Sequence, residues 1–182
     1  MRSKVSKPNP LRYRHIFKVE QLINFPKDSL EVIEPSSPDY LMEMACRLSE
    51  LGFHVGQRVL DLLFVREKNY KRETKLLNIL LFVKSTVWKT LFGKEADKLE
   101  QANDDEKTYY LIEKDPLVIK FISVPKDRGS LNCASFVAGI IEAILIGCNF
   151  PAKVTAHWYK GTTFMMKFEE SVIARDKSME NR

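Results

Sequence analysis

The chain has 182 residues, 45% apolar and 29% charged, which suits one domain with a full-sized core. Its +5 formal charge is local, because residues 1–20 hold six basic side chains (Arg2, Lys4, Lys7, Arg12, Arg14, Lys18) against Glu20, and the remainder carries 23 of each sign. That balance excludes the basic folded face of a nucleic-acid binder, and three cysteines without CxxC spacing exclude a disulfide framework and fit a reducing cytosol.

Residues 1–37 read as an irregular basic segment, with Pro8, Pro10, Pro26 and Pro35 disfavouring helix and at most a short element over Tyr13–Ile23. The start MRSKVSKPNP lacks the apolar run of a signal peptide, and no later stretch reaches the roughly 20 apolar residues of a membrane span. Ser37-Pro38-Asp39 is a helix start: a capping hydroxyl, proline at the first helical position and an acid in the first turn. From there Leu41, Met44, Leu48, Leu51, Val55, Val59 and Leu62 recur at spacings of three and four, which predicts a core-facing stripe. Glu43, Arg47, Glu50, His54, Arg58 and Asp61 trace the solvated side. Gly52 and Gly56 each cost about 1 kcal/mol in a helix relative to Ala, which points to a bend or a close packing contact.

After a polar connector, Leu76–Phe92 is helical again, with Leu76, Leu80, Val83, Val87 and Leu91 on one stripe and Leu77, Leu81 and Trp88 beside it. Such a wide apolar face belongs centrally in the core or against a second protein, so Leu77, Leu81, Val87, Trp88, Leu91 and Phe92 are the candidate partner interface. The charged run Lys94–Lys107 leads into two expected strands, Tyr109–Glu113 and Leu117–Val124, split by a turn at Asp115-Pro116. Asn132 caps a nearly uncharged helix from Cys133 to Gly147, in which Ser135 and Glu142 share a face and Ala138 and Gly139 allow a close backbone approach. A closing hairpin turns at Lys160-Gly161, with Val154, Ala156, Trp158, Phe164, Met166 and Phe168 inward. The expected order is helix, helix, strand, strand, helix, strand, strand.

Chemistry is sparse. His15, His54 and His157 have no triad-like neighbours, and His157 reads as a sheet-surface residue. Asp104-Asp105-Glu106 lacks the alternating ligands of a calcium loop, and no phosphate-cradling glycine motif occurs, so no catalytic residue, metal or cofactor is expected. Cys133 is the one thiol of interest. A helix N-terminus lowers a thiol's pKa, which makes Cys133 a candidate reactive or acylated site, against the plainer reading of a small buried hydrophobe.

Longer strings carry more information. Arg66–Asn69 with Lys71–Lys75, FGKEADKLEQANDD at Phe92–Asp105, TYYLIEKDPL at Thr108–Leu117, SLNCASF at Ser130–Phe136, FPAKVTAHWYKGTT at Phe150–Thr163 and KFEESVIARDK at Lys167–Lys177 resemble the small core subunits of the TRAPP trafficking complex. The likeness covers about Gly52 to Arg182. It implies an α+β fold, the α/β plait of TRAPP small subunits, with helices packed on one face of a four-stranded antiparallel sheet over residues 38–182. It further implies a non-catalytic structural subunit that contacts the related subunit 3 and the sedlin-like subunit 2. The assembly as a whole, not this chain, would act as exchange factor for a Rab GTPase in endoplasmic-reticulum-to-Golgi transport. Location would be cytoplasmic, peripheral at the endoplasmic reticulum and cis-Golgi. Residues 1–37 depart from the family, which opens with a long amphipathic helix. Without that helix the Leu76–Phe92 face or the Ser37–Val65 helix would be left partly uncovered.

Two other functions compete. A hydrophobic-ligand or acyl-binding module would line its pocket with the Cys133–Ile146 helix, Trp158, Phe164 and Met166. A membrane-surface role would use the basic tail, each basic residue contributing about 1 kcal/mol near an anionic surface.

Overall fold

The computed structural model describes residues 38–66, 73–120, 122 and 131–180. The basic segment 1–37 and residues 121, 123 and 124 of the expected Leu117–Val124 strand lie outside these residues.

Helix α1 (Pro38–Arg66) starts at the proline, with Asp39 in its first turn, as the sequence signal implied. Helix α2 (Leu76–Phe82) continues through a π-helical turn (Val83–Val87) into α3 (Trp88–Phe92), which stops at Gly93 in the left-handed region, φ 75°. The wide π turn leaves the carbonyl of Lys84 for the backbone N–H of Ala96, 3.1 Å away, and so ties the following loop back against the helix.

Four strands form an antiparallel sheet in the order β1-β2-β4-β3: β1 (Lys98–Gln101), β2 (Thr108–Glu113), β3 (Ala152–Trp158) and β4 (Thr162–Phe168). Between them lie the one-turn helix α4 (Leu117–Lys120) and the long helix α5 (Ser135–Gly147), and the chain closes with α6 (Glu170–Glu180). Leu111, Phe164, Met166 and Val154 face the buried layer made by α5 and the α2–α3 helix. The other sheet face carries the register rows Lys98, Ile112, Thr163, His157 and Glu100, Tyr110, Met165, Thr155. This is the expected plait, with helices on one face.

Trp158, expected inward on the hairpin, is instead 56% exposed at the end of β3, and three expectations about elements are corrected. The first strand is Lys98–Gln101, inside the charged run, and not Leu117–Val124. An edge strand tolerates charge, and only Leu99 of β1 packs on the core, so β1 shows no alternation. Leu117–Lys120 is a helical turn because Pro116 starts it and its carbonyl accepts from the N–H groups of Ile119 and Lys120. The closing helix α6 was not anticipated. Its Val172 is buried, its Arg175 lies over the Phe150 ring and donates to the carbonyl of Asn149, and its Asp176 carboxylate accepts from Leu76 N–H at 2.8 Å. Asp176 thereby caps a helix that has no cap of its own, since Lys75 supplies none.

Candidate partner interface

The pairing of α1 with α5 decides which helix faces remain outside. Gly52 and Gly139 sit where the two backbones nearly touch: a Cβ built on Gly52 would lie 1.9 Å from the Phe136 carbonyl oxygen, and one on Gly139 would lie 1.9 Å from that of Ser49. Gly56 is similarly tight, 2.6 Å from the carbonyl of Ile140. The stripe that α1 commits to α5 is thus the small-residue one, Ala45, Ser49, Gly52 and Gly56, extended by Leu60 and Leu63. Leu51, Val55 and Leu62 lie on the helix wheel roughly 110° from that seam, by the 3.6-residue turn. They are exposed, Leu62 by 56%, and Val65 beyond them is more exposed still. The sequence reading placed this stripe toward the core. The spacing 45, 49, 52, 56 of small residues was the signal that a closer seam wins.

The six candidate interface residues divide. Leu77 (59% exposed) and Leu81 (45%) of α2 are open to solvent. Leu91 and Phe92 are half-buried and pack on the core cluster. Val87 and Trp88 are core residues, a correction: Val87 continues the buried Leu76, Leu80 and Val83 stripe, the π turn brings Trp88 inward beside it, and the Trp88 ring meets Phe92 and Phe164 edge to face at centroid distances of 4.9 and 5.5 Å.

Trp88 also has a polar partner. Its indole N–H donates at 2.9 Å to the buried carboxylate of Glu113, whose other oxygen accepts from the Lys94 ammonium. The Glu113 contact, aided by Asp97 and Asp115, holds the Lys94 pKa above its ordinary value. The nearby crevice, walled by Trp88, Phe92, Pro116, Leu117, Ala134, Val137 and Phe164, encloses about 10 Å³, room for no more than one water. An acyl chain does not fit there unless Trp88 or Phe92 moves. Cys133 precedes α5 by two residues, half-buried, and burial pushes its thiol pKa up, opposite to the lowering expected of a helix N-terminus. His157 is exposed on the outer sheet face and pairs with the Thr155 hydroxyl, 2.8 Å away. Among the described residues no group of three or more His, Cys, Asp or Glu is placed to hold a metal ion, and no helix is long and apolar enough to cross a membrane.

The comparisons agree with this fold. Residues 15–169 match the family model "Transport protein particle (TRAPP) component", a match that begins inside the segment set apart on sequence grounds. The chain is 65% identical over 140 residues to trafficking protein particle complex subunit 5 of Bos taurus and of Homo sapiens, covering 77% of this chain and 74% of each relative. It is 50% identical over 141 residues to the Dictyostelium discoideum subunit 5, covering 74% of this chain and 76% of that one. Its fold resembles that of a subunit 3 from Naegleria fowleri covalently bound to palmitic acid, with a TM-score of 0.60 at 13% identity over 71% of this chain and 82% of the other. The family match over residues 15–169 and the 65% identity place the chain in the TRAPP family as a small subunit of the trafficking complex resembling subunit 5.

Proposed function

We propose that the chain is a non-catalytic structural subunit whose folded domain, residues 38–182, docks the related subunit 3 through the exposed stripe Leu51, Val55 and Leu62 of α1, with Leu77 and Leu81 of α2 as further contacts. The observation that carries this is the exposure of five aliphatic side chains on helices that each already bury another face, α1 against α5 and α2 in the core. Large aliphatic side chains clustered on an exposed helix face are one mark of a protein contact. Charge is absent from these positions, as in the core of a protein interface. The sedlin-like subunit 2 would sit nearby, and the Rab GTPase would be reached only through the whole assembly. The assembly would catalyse nucleotide exchange in endoplasmic-reticulum-to-Golgi transport, at the cytoplasmic side of those membranes, with any membrane contact peripheral. The acyl-binding alternative finds no room in the core crevice of about 10 Å³ and would have to use the open cleft of about 420 Å³ between α1, α5 and β3.

The test is co-expression of the full chain with subunit 3, followed by size-exclusion chromatography with light scattering. A defined heteromeric peak that disappears in Leu62→Glu and weakens in Leu77→Glu is expected. A wild-type chain that is folded and never joins subunit 3, or a Leu62→Glu complex of unchanged stability, would overturn the reading.

A further inference from the structure

The two edges of the sheet are protected in different ways. β1 has four residues, three of them charged or amide-bearing (Lys98, Glu100, Gln101), and a short polar edge is a poor template for another strand. β3 is the opposite case. It has seven residues, Ala-Lys-Val-Thr-Ala-His-Trp, with no proline and one formal charge, and it lies at the other end of the sheet. Alternate residues of an antiparallel edge strand turn their N–H and C=O groups away from the partner, so such a strand offers them to any second chain.

In β3 two of those outward groups, one N–H and one C=O, are taken by side chains. The N–H of Val154 donates to Glu142 at 2.9 Å, and the C=O of Ala156 accepts from the amide of Asn132 at 3.2 Å. Glu142 is the sole charged residue of α5, a helix otherwise apolar, and its carboxylate is only 13% exposed. Burying a carboxylate there costs desolvation unless it is hydrogen-bonded, so its position is explained by what it binds. Its second oxygen takes the Lys153 ammonium at 3.1 Å. Asn132 is likewise held, because its carbonyl oxygen caps the N–H of Ala134 at 3.1 Å while its amide reaches β3. Beside the strand a cleft of about 420 Å³, walled on the far side by Met42, Cys46 and Phe53 of α1, leaves room along this edge. At these two central positions the edge is therefore blocked by hydrogen bonding and not by bulk.

We propose that Glu142 and Asn132 are edge plugs: they occupy the hydrogen-bonding positions of β3 that a second copy of this chain would otherwise use to pair edge to edge. The Glu142→Ala/Asn132→Ala double variant of the full chain should show, in sedimentation velocity, a weight-average mass at least about twofold above wild type at the same concentration, increasing with concentration. Glu142→Gln, whose amide oxygen still accepts from Val154, should keep the wild-type mass. Asp176→Ala, which loses a hydrogen bond far from this edge, should also keep it and controls for lost stability. A double variant with wild-type mass overturns the proposal. So does an equal rise in Asp176→Ala or in Glu142→Gln, since then instability or lost charge and not an open strand causes association.

Discussion

Gly139→Ala separates packing from helix propensity at the seam between α1 and α5. On propensity alone the change should help, because Ala in a helix interior is favoured over Gly by about 1 kcal/mol. Geometry says otherwise. The new Cβ would lie 1.9 Å from the Ser49 carbonyl oxygen and 2.9 Å from the Phe53 backbone nitrogen, both backbone atoms that cannot rotate aside. Relief requires the two helices to part, which loosens the contacts of Leu60, Ile140 and their neighbours in the core. Overpacking of this kind costs about 1–3 kcal/mol, and more where the obstacle is backbone, so after the propensity gain a net loss of about 2 kcal/mol is expected. For a chain of this length that lowers Tm by about 4–8 °C. Urea unfolding followed by circular dichroism reads it, and the m-value should stay constant while the midpoint falls. Gly52→Ala meets the same seam from the other side, so the double variant should cost less than the sum, because the helices need part only once. A Gly139→Ala chain as stable as wild type, or more so, would refute the close approach and with it the assignment of the outward stripe on α1.

Glu113→Ala should cost about 2–3 kcal/mol by leaving the buried Trp88 indole N–H and the Lys94 ammonium without their acceptor. In a Trp158→Phe background its emission should shift to the red, and unchanged emission would contradict the buried pair. Asp176→Ala should cost about 1 kcal/mol through the lost cap at Leu76, read as a small fall in the urea midpoint. The pH profile follows from the shifted groups. Asp97, held low by the Lys114 N–H, Asp105, held low by the Lys107 N–H, and Glu170, held low by the Lys107 ammonium, contribute stability above the ordinary carboxylate range. That contribution is lost as pH falls through their lowered values, below about 4. Lys94, raised by Glu113, and Lys107, raised by Glu170, contribute below about pH 10.4 and lose it as pH rises through their raised values. Thermal melts should therefore be flat with respect to these groups near neutrality, with losses in acid and in alkali, and a slope between pH 6 and 8 would need another group.

How much of this was legible in the sequence depended on whether a residue's role was set by local periodicity or by a distant neighbour. The α5 helix, the β3–β4 hairpin with its Lys160-Gly161 turn, and the start of α1 at Pro38 are local, and their residues announce them. Strand β1 is not local: its residues alternate no apolar face and gain their structure from pairing with Tyr109–Ile112. Nor is the cap on α2, which comes from Asp176 near the far end of the chain.

The candidate interface was half legible for the same reason. Hydrophobicity marked the Leu76–Phe92 helix as carrying more apolar surface than a small sheet can cover, but assigned the apolar stripe of α1 wholly to the core. It could not rank the faces, because large aliphatic side chains look more core-like than Ala, Ser and Gly. In a helix crossing the ranking reverses. Small residues let two backbones approach within touching distance, as Gly52 and Gly139 do, and the larger Leu51, Val55 and Leu62 are turned outward by the same rotation. Trp88 shows the converse: a π turn shifts the phase of the helix after Val83, so that Trp88 falls inward onto Glu113 and Phe164 while Leu77 and Leu81, before the turn, stay outside. An inserted residue that changes helical phase leaves no mark on a 3.6-residue count until the partner carboxylate on β2 is known. Which helix faces are buried and which exposed is accordingly set by two backbone devices, a glycine seam and a π turn, and each can be moved by a substitution that leaves every exposed leucine in place.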